Sequence, residues 1–113
     1  MKIETMDNAA LLKAAERFAA LGSEQRLQVL RLIVRAGSEG LNVGQLGDRT
    51  GITGSTLTHH LKILNHAGLI EQTREGRSII CIAAAYDEMR ELSDYLLAEC
   101  CADSDEPDER HEH

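Results

Sequence analysis

Residues 42–68 read NVGQLGDRTGITGSTLTHHLKILNHAG, and the fold turns on how this stretch is punctuated. Asn42 is a capping residue for a short helix containing Val43 and Leu46, and Thr50-Gly51-Ile52 makes a tight turn. Thr53 then opens a helix that runs to about Ala67, with Gly68 as its C-terminal stop. Along that helix Leu57, Leu61 and Leu64 fall at i, i+4 and i+7, whereas Ser55, His59, Lys62 and His66 recur on another side. One face packs; the other is polar without being acidic.

Downstream, residues 69–84 switch to strand character. A two-residue type I′ turn centred on Glu75-Gly76 would pair Arg74 with Arg77, Gln72 with Ile79 and Ile70 with Cys81, leaving two arginines at a protruding tip. Upstream, Asp7 or Asn8 can cap a first helix with Leu11, Ala14, Ala15 and Phe18 at helical spacing, ended by a left-handed Gly22. Ser23 opens a second, whose apolar stripe is Leu27, Leu30, Ile33 and Val34, with Arg26, Arg31 and Arg35 largely off it and Gly37 closing it. A last helix starts at Tyr86 or Asp87, carries Met89, Leu92, Leu96 and Leu97, and runs to about Glu99.

A chain of 113 residues is one domain's worth, able to bury ~65% of its unfolded surface. With no Trp, one Phe and two Tyr, its core must rest on Leu, Ile, Val and Ala, which favours helices. The net charge of −7 speaks against a nucleic-acid partner when taken whole. By segment it does not. Residues 103–113 hold six acids against Arg110, a charge of −5, with the only proline, Pro107; this reads as a disordered acidic tail behind a domain of residues 1–102. Residues 49–82 carry Arg49, Lys62, Arg74 and Arg77 against Glu71 and Glu75, +2 with three histidines besides, while residues 87–102 sum to −4.

No run approaches the ~18 apolar residues of a membrane span, and the N-terminal residues lack a signal-peptide pattern, so a cytoplasmic location and no membrane partner are expected. Three cysteines without an export signal argue for reduced thiols. The absence of a phosphate-cradling G-x-x-x-x-G-K motif disfavours a nucleotide enzyme, and no organic cofactor is expected.

A short helix, a tight turn, a helix with a polar outer face and a basic-tipped hairpin form the layout of a winged helix-turn-helix, mainly α with a small β wing. The major groove of DNA admits one α-helix, and Thr53, Ser55, Thr56, Thr58 and His59 near the start of the second helix can reach base edges or phosphates. Arg49, Lys62, Arg74 and Arg77 would supply phosphate contacts. The alternative at this point is a solvated helix face and a structural β-ribbon.

The segment Ala20-Leu21-Gly22-Ser23-Glu24-Gln25-Arg26-Leu27-Gln28-Val29-Leu30, then residues 55–64 (STLTHHLKIL) with Ala67-Gly68-Leu69-Ile70, then Arg74-Glu75-Gly76-Arg77, closely resemble the ArsR/SmtB family of metal- and metalloid-responsive repressors. The resemblance spans roughly residues 8–102, with the motifs in order at the family's spacing. Glu24 stands where many members have proline, and either suits a first helical turn. The resemblance implies a homodimer built on its first and last helices, no enzymatic activity, and repression of its own operon through a palindromic double-stranded operator released when an inducer binds. The apolar stripes of residues 11–18 and 89–97 suit such an interface, or an intrachain core.

The family's sensing sites vary in place. Residues 42–48 hold no cysteine and residues 87–99 no histidine, so neither the thiol site beside the helix-turn-helix nor the last-helix zinc site is expected. Vicinal Cys100 and Cys101 after the last helix resemble the arsenic-sensing branch, which implies trivalent arsenic, arsenite or methylarsenite, as inducer, with Cys81 as a third candidate ligand. Adjacent helical residues point about 100° apart, so both thiols can hold one atom only where the helix frays. A redox or persulfide switch at the pair, and simple packing of Cys81 opposite Ile70, stay open. Acidic Glu99 and Asp103 and the helix C-terminus disfavour a reactive thiolate, against both a redox role and a thiol enzyme. His111 and His113 are weaker metal candidates; His60 is expected to pack, and His66 to face DNA or solvent.

Overall fold

The computed structural model describes residues 8–104. The candidate cap Asp7, the tail beyond Ser104, and His111 and His113 lie outside the described residues. Five helices and a three-stranded sheet follow one another as α1 (Asn8–Ala20), α2 (Glu24–Ala36), β1 (Leu41–Asn42), α3 (Val43–Thr50), α4 (Gly54–His66), β2 (Ile70–Glu75), β3 (Ser78–Ala83) and α5 (Tyr86–Leu97). This is the winged helix-turn-helix architecture that the residue pattern implied.

Local chemistry sets the boundaries. Ser23 caps α2 by accepting from the Arg26 amide at 3.3 Å. Asn42 and Gln45 form a reciprocal capping box on α3, with the Gln45 amide donating to Asn42 Oδ1 at 2.7 Å and the Asn42 amide to Gln45 Oε1 at 2.9 Å. Gly51 ends α3 in the left-handed conformation (φ 73°), which turns the chain into α4. Thr53 occupies the N-cap position of α4, yet its hydroxyl donates to Thr56 Oγ1 rather than accepting from the helix backbone. At the other end of α4, the Leu69 amide bonds Leu64 O and the Gly68 amide bonds Asn65 O, both at 3.0 Å, with Gly68 at φ 77°. This is a Schellman motif, and it leaves the Ala67 carbonyl to be satisfied from elsewhere. Gly22, expected to be left-handed, is not; α1 closes through ordinary turns, Leu21 and Gly22 bonding back to Phe18 O and Ala19 O.

The core joins Val29, Leu30 and Ile33 of α2, Leu46 of α3, Leu57, Leu61 and Leu64 of α4, then Leu69, Ile70, Cys81 and Leu92. Each such aliphatic side chain contributes about 1.5–3 kcal/mol on burial. Of the apolar stripe read on α2, Leu30 and Ile33 are buried together with Val29, whereas Leu27 and Val34 are 44% and 49% exposed.

Sheet order is β1-β3-β2, antiparallel throughout. The hairpin register differs from the sequence expectation by two residues: Gln72 opposes Cys81, Ile70 opposes Ala83, Arg74 opposes Ile79 and Glu75 opposes Ser78. The turn is therefore Gly76-Arg77, with a positive φ at Gly76 (63°) and not at Arg77, the pattern of a type II′ turn with glycine first. Cys81 is thus set between Leu41 and Gln72 in the middle of the sheet. Strand β1, which carries no periodicity of its own, crosses so close to β3 that a Cβ on Gly40 (φ 68°) would overlap the Cys81 carbonyl oxygen.

Candidate nucleic-acid interface and thiol pair

All nine candidate DNA contacts, Arg49, Thr53, Ser55, Thr56, Thr58, His59, Lys62, Arg74 and Arg77, are solvent-exposed, while Leu57, His60, Leu61 and Leu64 hold α4 from beneath. They do not form one contiguous row. Thr58 and Arg77 line a single cleft of about 350 Å³ together with Asn42, Gly44 and Ile79, so the middle of α4, the start of α3 and the wing tip share one surface. His59 and Lys62 face the other way, along a groove of about 640 Å³ between α4 and α1 that Glu16, Arg26 and His66 also border. His66 Nε2 lies 3.5 Å from Glu16 Oε2, an exposed pair of small energetic weight.

Arg49 sits apart, in a groove it shares with Arg31 and Arg35 of α2. Sequence reading placed those two arginines merely off the apolar stripe; their i, i+4 spacing was the signal that they form a basic patch with a third. Arg26, read from sequence only as lying off the apolar stripe, has a half-buried role that was missed. Arg26 Nε donates to Ala20 O at 2.6 Å and Nη1 to His60 Nδ1 at 3.3 Å, while His60 Nε2 donates to Gln25 Oε1 at 2.8 Å. Arginine and the Gln25 carbonyl allow only one arrangement: His60 is neutral, with its proton on Nε2. Burial first, then the charges of Arg26 and of neighbouring His59, hold its pKa below the usual 6.5. The packing expected for His60 is thus a buried polar tie between α2 and α4.

The cysteines divide. Cys81 is fully buried, opposite Gln72, whose Nε2 lies 3.6 Å from its sulfur. Burial pushes its pKa up, partly offset by that hydrogen bond, so it stays a thiol. Cys100 and Cys101 follow α5, where the ladder loosens into successive i to i+3 bonds: Cys100 to Leu97, Ala102 to Glu99, Ser104 to Cys101. The helix therefore ends at Leu97, two residues short of the expected Glu99. Cys101 has a φ of 67°, the one non-glycine residue with positive φ among those described. That turn brings the Cys100 and Cys101 sulfurs to 2.9 Å. Among the described residues, no three His, Cys, Asp or Glu side chains form a metal-sized group, so Cys81 does not join the pair within one chain.

A helix-turn-helix domain family model matches residues 21–73. An uncharacterized HTH-type transcriptional regulator of Methanocaldococcus jannaschii is 39% identical over 64 residues, 57% of this chain and 70% of that protein. Among solved structures, an ArsR-like transcriptional regulator from Rhodococcus sp. RHA1 superposes with a TM-score of 0.70 at 26% identity, covering 86% of this chain and 87% of the other. The chain belongs to the ArsR/SmtB family. A second ArsR/SmtB-type fold, the homodimeric winged helix-turn-helix DNA-binding domain of a possible ArsR-family regulator from Mycobacterium bovis, matches with a TM-score of 0.66 at 28% identity over 100% of this chain and 98% of the other. The chain spans between 60% and 70% of the curated relatives it matches. As an ArsR/SmtB member it is a transcriptional regulator with a DNA-binding helix-turn-helix, not an enzyme. No helix among the described residues is long and apolar enough to cross a membrane.

Proposed function

We propose that the chain is a homodimeric repressor that leaves its operator when trivalent arsenic, arsenite or methylarsenite, binds the thiolates of Cys100 and Cys101. The observation that carries this reading is the 2.9 Å separation of the two sulfurs just past the last helical turn. Soft sulfur ligands select thiophilic ions. Two adjacent thiolates match the two open positions of a methylarsenite; arsenite takes three, and buried Cys81 is a poor third from the same chain. The exposed apolar side chains Leu11, Leu12 and Phe18 of α1 and Leu96 and Leu97 of α5 support a dimer closed by the terminal helices. Thr53, Ser55, Thr56, Thr58 and His59 would read the operator, with Arg49, Lys62, Arg74 and Arg77 on phosphates.

The same sulfur contact favours one second reading, in which oxidation or persulfidation of the pair is the signal. A mobility shift on the promoter of the chain's own gene separates them. Release by arsenite or methylarsenite, lost in the Cys100→Ser, Cys101→Ser double variant, is the expected result. Release by peroxide or persulfide alone assigns the redox reading; a double variant that still responds to arsenic removes the thiol pair from the mechanism.

A further inference from the structure

Arg17 of α1 is 5% exposed, yet no carboxylate lies within ion-pair distance of it among the described residues. A buried guanidinium without a counter-ion is costly unless its donors are met and its charge is offset. Its Nε donates at 3.1 Å to Ala67 O, the carbonyl that the Schellman turn of α4 leaves unused, and its Nη1 reaches Glu88 O in the first turn of α5 at 3.5 Å. The negative end of the α4 dipole supplies the offset. Gly68 makes the approach feasible, since a Cβ there would come within 3.2 Å of Arg17 Nη2. One side chain on α1 therefore holds the C-terminal end of α4 and the start of α5 at once.

We infer that Arg17 is a positioning residue for DNA recognition: it fixes the tilt of α4 against the terminal helices α1 and α5, and so the spacing of the two recognition helices in the dimer. The inference rests on the homodimer reading given above. Helix α4 has 13 residues and is about 20 Å long at 1.5 Å per residue. A tilt of about 10° about the clamped end moves its base-reading N-terminus by about 3 Å, roughly one base-pair step against half-sites about 34 Å apart. Because Arg17 is buried, it touches no phosphate. Its loss should spoil register without weakening general attraction to DNA.

The test uses the full-length chain with Arg17→Met, which removes the charge but fills the space, and Arg17→Lys, which keeps the charge but not the fork. Each is assayed for dimerisation, for affinity to random duplex DNA, and for affinity to operators whose half-sites are moved apart or together by one base pair. Arg17→Met is expected to bind random DNA within about twofold of wild type, to lose tenfold or more on the native operator, and to discriminate poorly among spacings; Arg17→Lys should lose at least threefold on the operator. A role confined to packing would lower the folded fraction and leave the ratio of operator to random affinity unchanged. Either variant with a wild-type ratio and spacing preference overturns the proposal, and Arg17→Lys decides it should Arg17→Met fail to fold. A wild-type chain with no spacing preference overturns the dimer reading together with it, which keeps the two failures distinguishable.

Discussion

Arg26 Nη1 lies 3.3 Å from His60 Nδ1, so a fixed positive charge addresses the lone pair of a neutral imidazole on the inner face of the recognition helix. Protonating that nitrogen would turn an acceptor into a donor facing a cation. His60 has a folded pKa below its ordinary 6.5. The unfolded chain consequently takes up the proton first as pH falls. The stability that His60 contributes is fully present above pH 6.5, declines as pH drops below it, and stops declining once the folded imidazole itself protonates. Urea denaturation at several pH values between 8 and 5, on wild type and His60→Gln, reads this directly. The variant should lose part of the acid-side slope; an identical slope in both would show that His60 titrates alike in the two states.

Arg74 and Arg77 flank the wing turn, Arg77 within it and Arg74 on β2 opposite Ile79. As phosphate contacts they each release about 0.9 counterion. Changing both to alanine should flatten the plot of log affinity against log salt by about 1.8 per protomer bound, with similar loss on operator and random DNA. Thr58→Ala, by contrast, should cost operator affinity alone, by about 1–3 kcal/mol if it makes a base contact. A salt slope unchanged by the double substitution would return the wing to a structural role.

Of the three thiols, Cys81 is fully buried, Cys100 exposed and Cys101 partly so. Maleimide applied to the native protein should modify the terminal pair and spare Cys81, which becomes reactive only in denaturant. Mass spectrometry of tryptic peptides resolves the sites. Modification of Cys81 at the rate of Cys100 in native buffer would contradict its place in the core.

Leu12 and Leu97 are 70% and 58% exposed in the single chain, so changing both to glutamate removes little intrachain packing. Sedimentation should then find a monomer with native helix content, and cooperative operator binding should vanish. A stable dimer carrying both substitutions would place the interface away from α1 and α5.

Much of the chain was legible because its elements are punctuated by residues with one strong local preference. Ser23, Asn42, Gly51 and Gly68 sit at helix ends for reasons of capping or left-handed backbone, and the core leucines of α4 follow from period alone. The wing register was not legible for a related reason. A Glu-Gly pair and a Gly-Arg pair both offer a glycine to a two-residue turn, and because the two registers differ by two residues, both keep Ile70 and Cys81 on one face, so the hydrophobic pattern does not choose between them. Strand β1 is two residues long and exists only through its partner. Arg17 and Arg26 were likewise invisible: on a helical wheel they look like ordinary surface cations, and their roles depend on carbonyls 50 and 6 residues away. The nine candidate DNA contacts all lie at the surface, yet they divide among separate grooves, Thr58 with Arg77 and His59 with Lys62, and the first grouping is set by the hairpin's placement over α3.

Residue 101 carries a backbone angle that glycine or asparagine would adopt at little cost and that a cysteine adopts against about 1 kcal/mol or more of steric preference. Conformation alone would have put another amino acid there. A directed-evolution experiment that selected only for a well-folded chain would drift toward glycine at this position, and, on the proposed function, one that also demanded release by arsenic would keep the sulfur. If the proposed thiol sensor holds, position 101 is a place where foldability and signal detection pull the sequence in opposite directions.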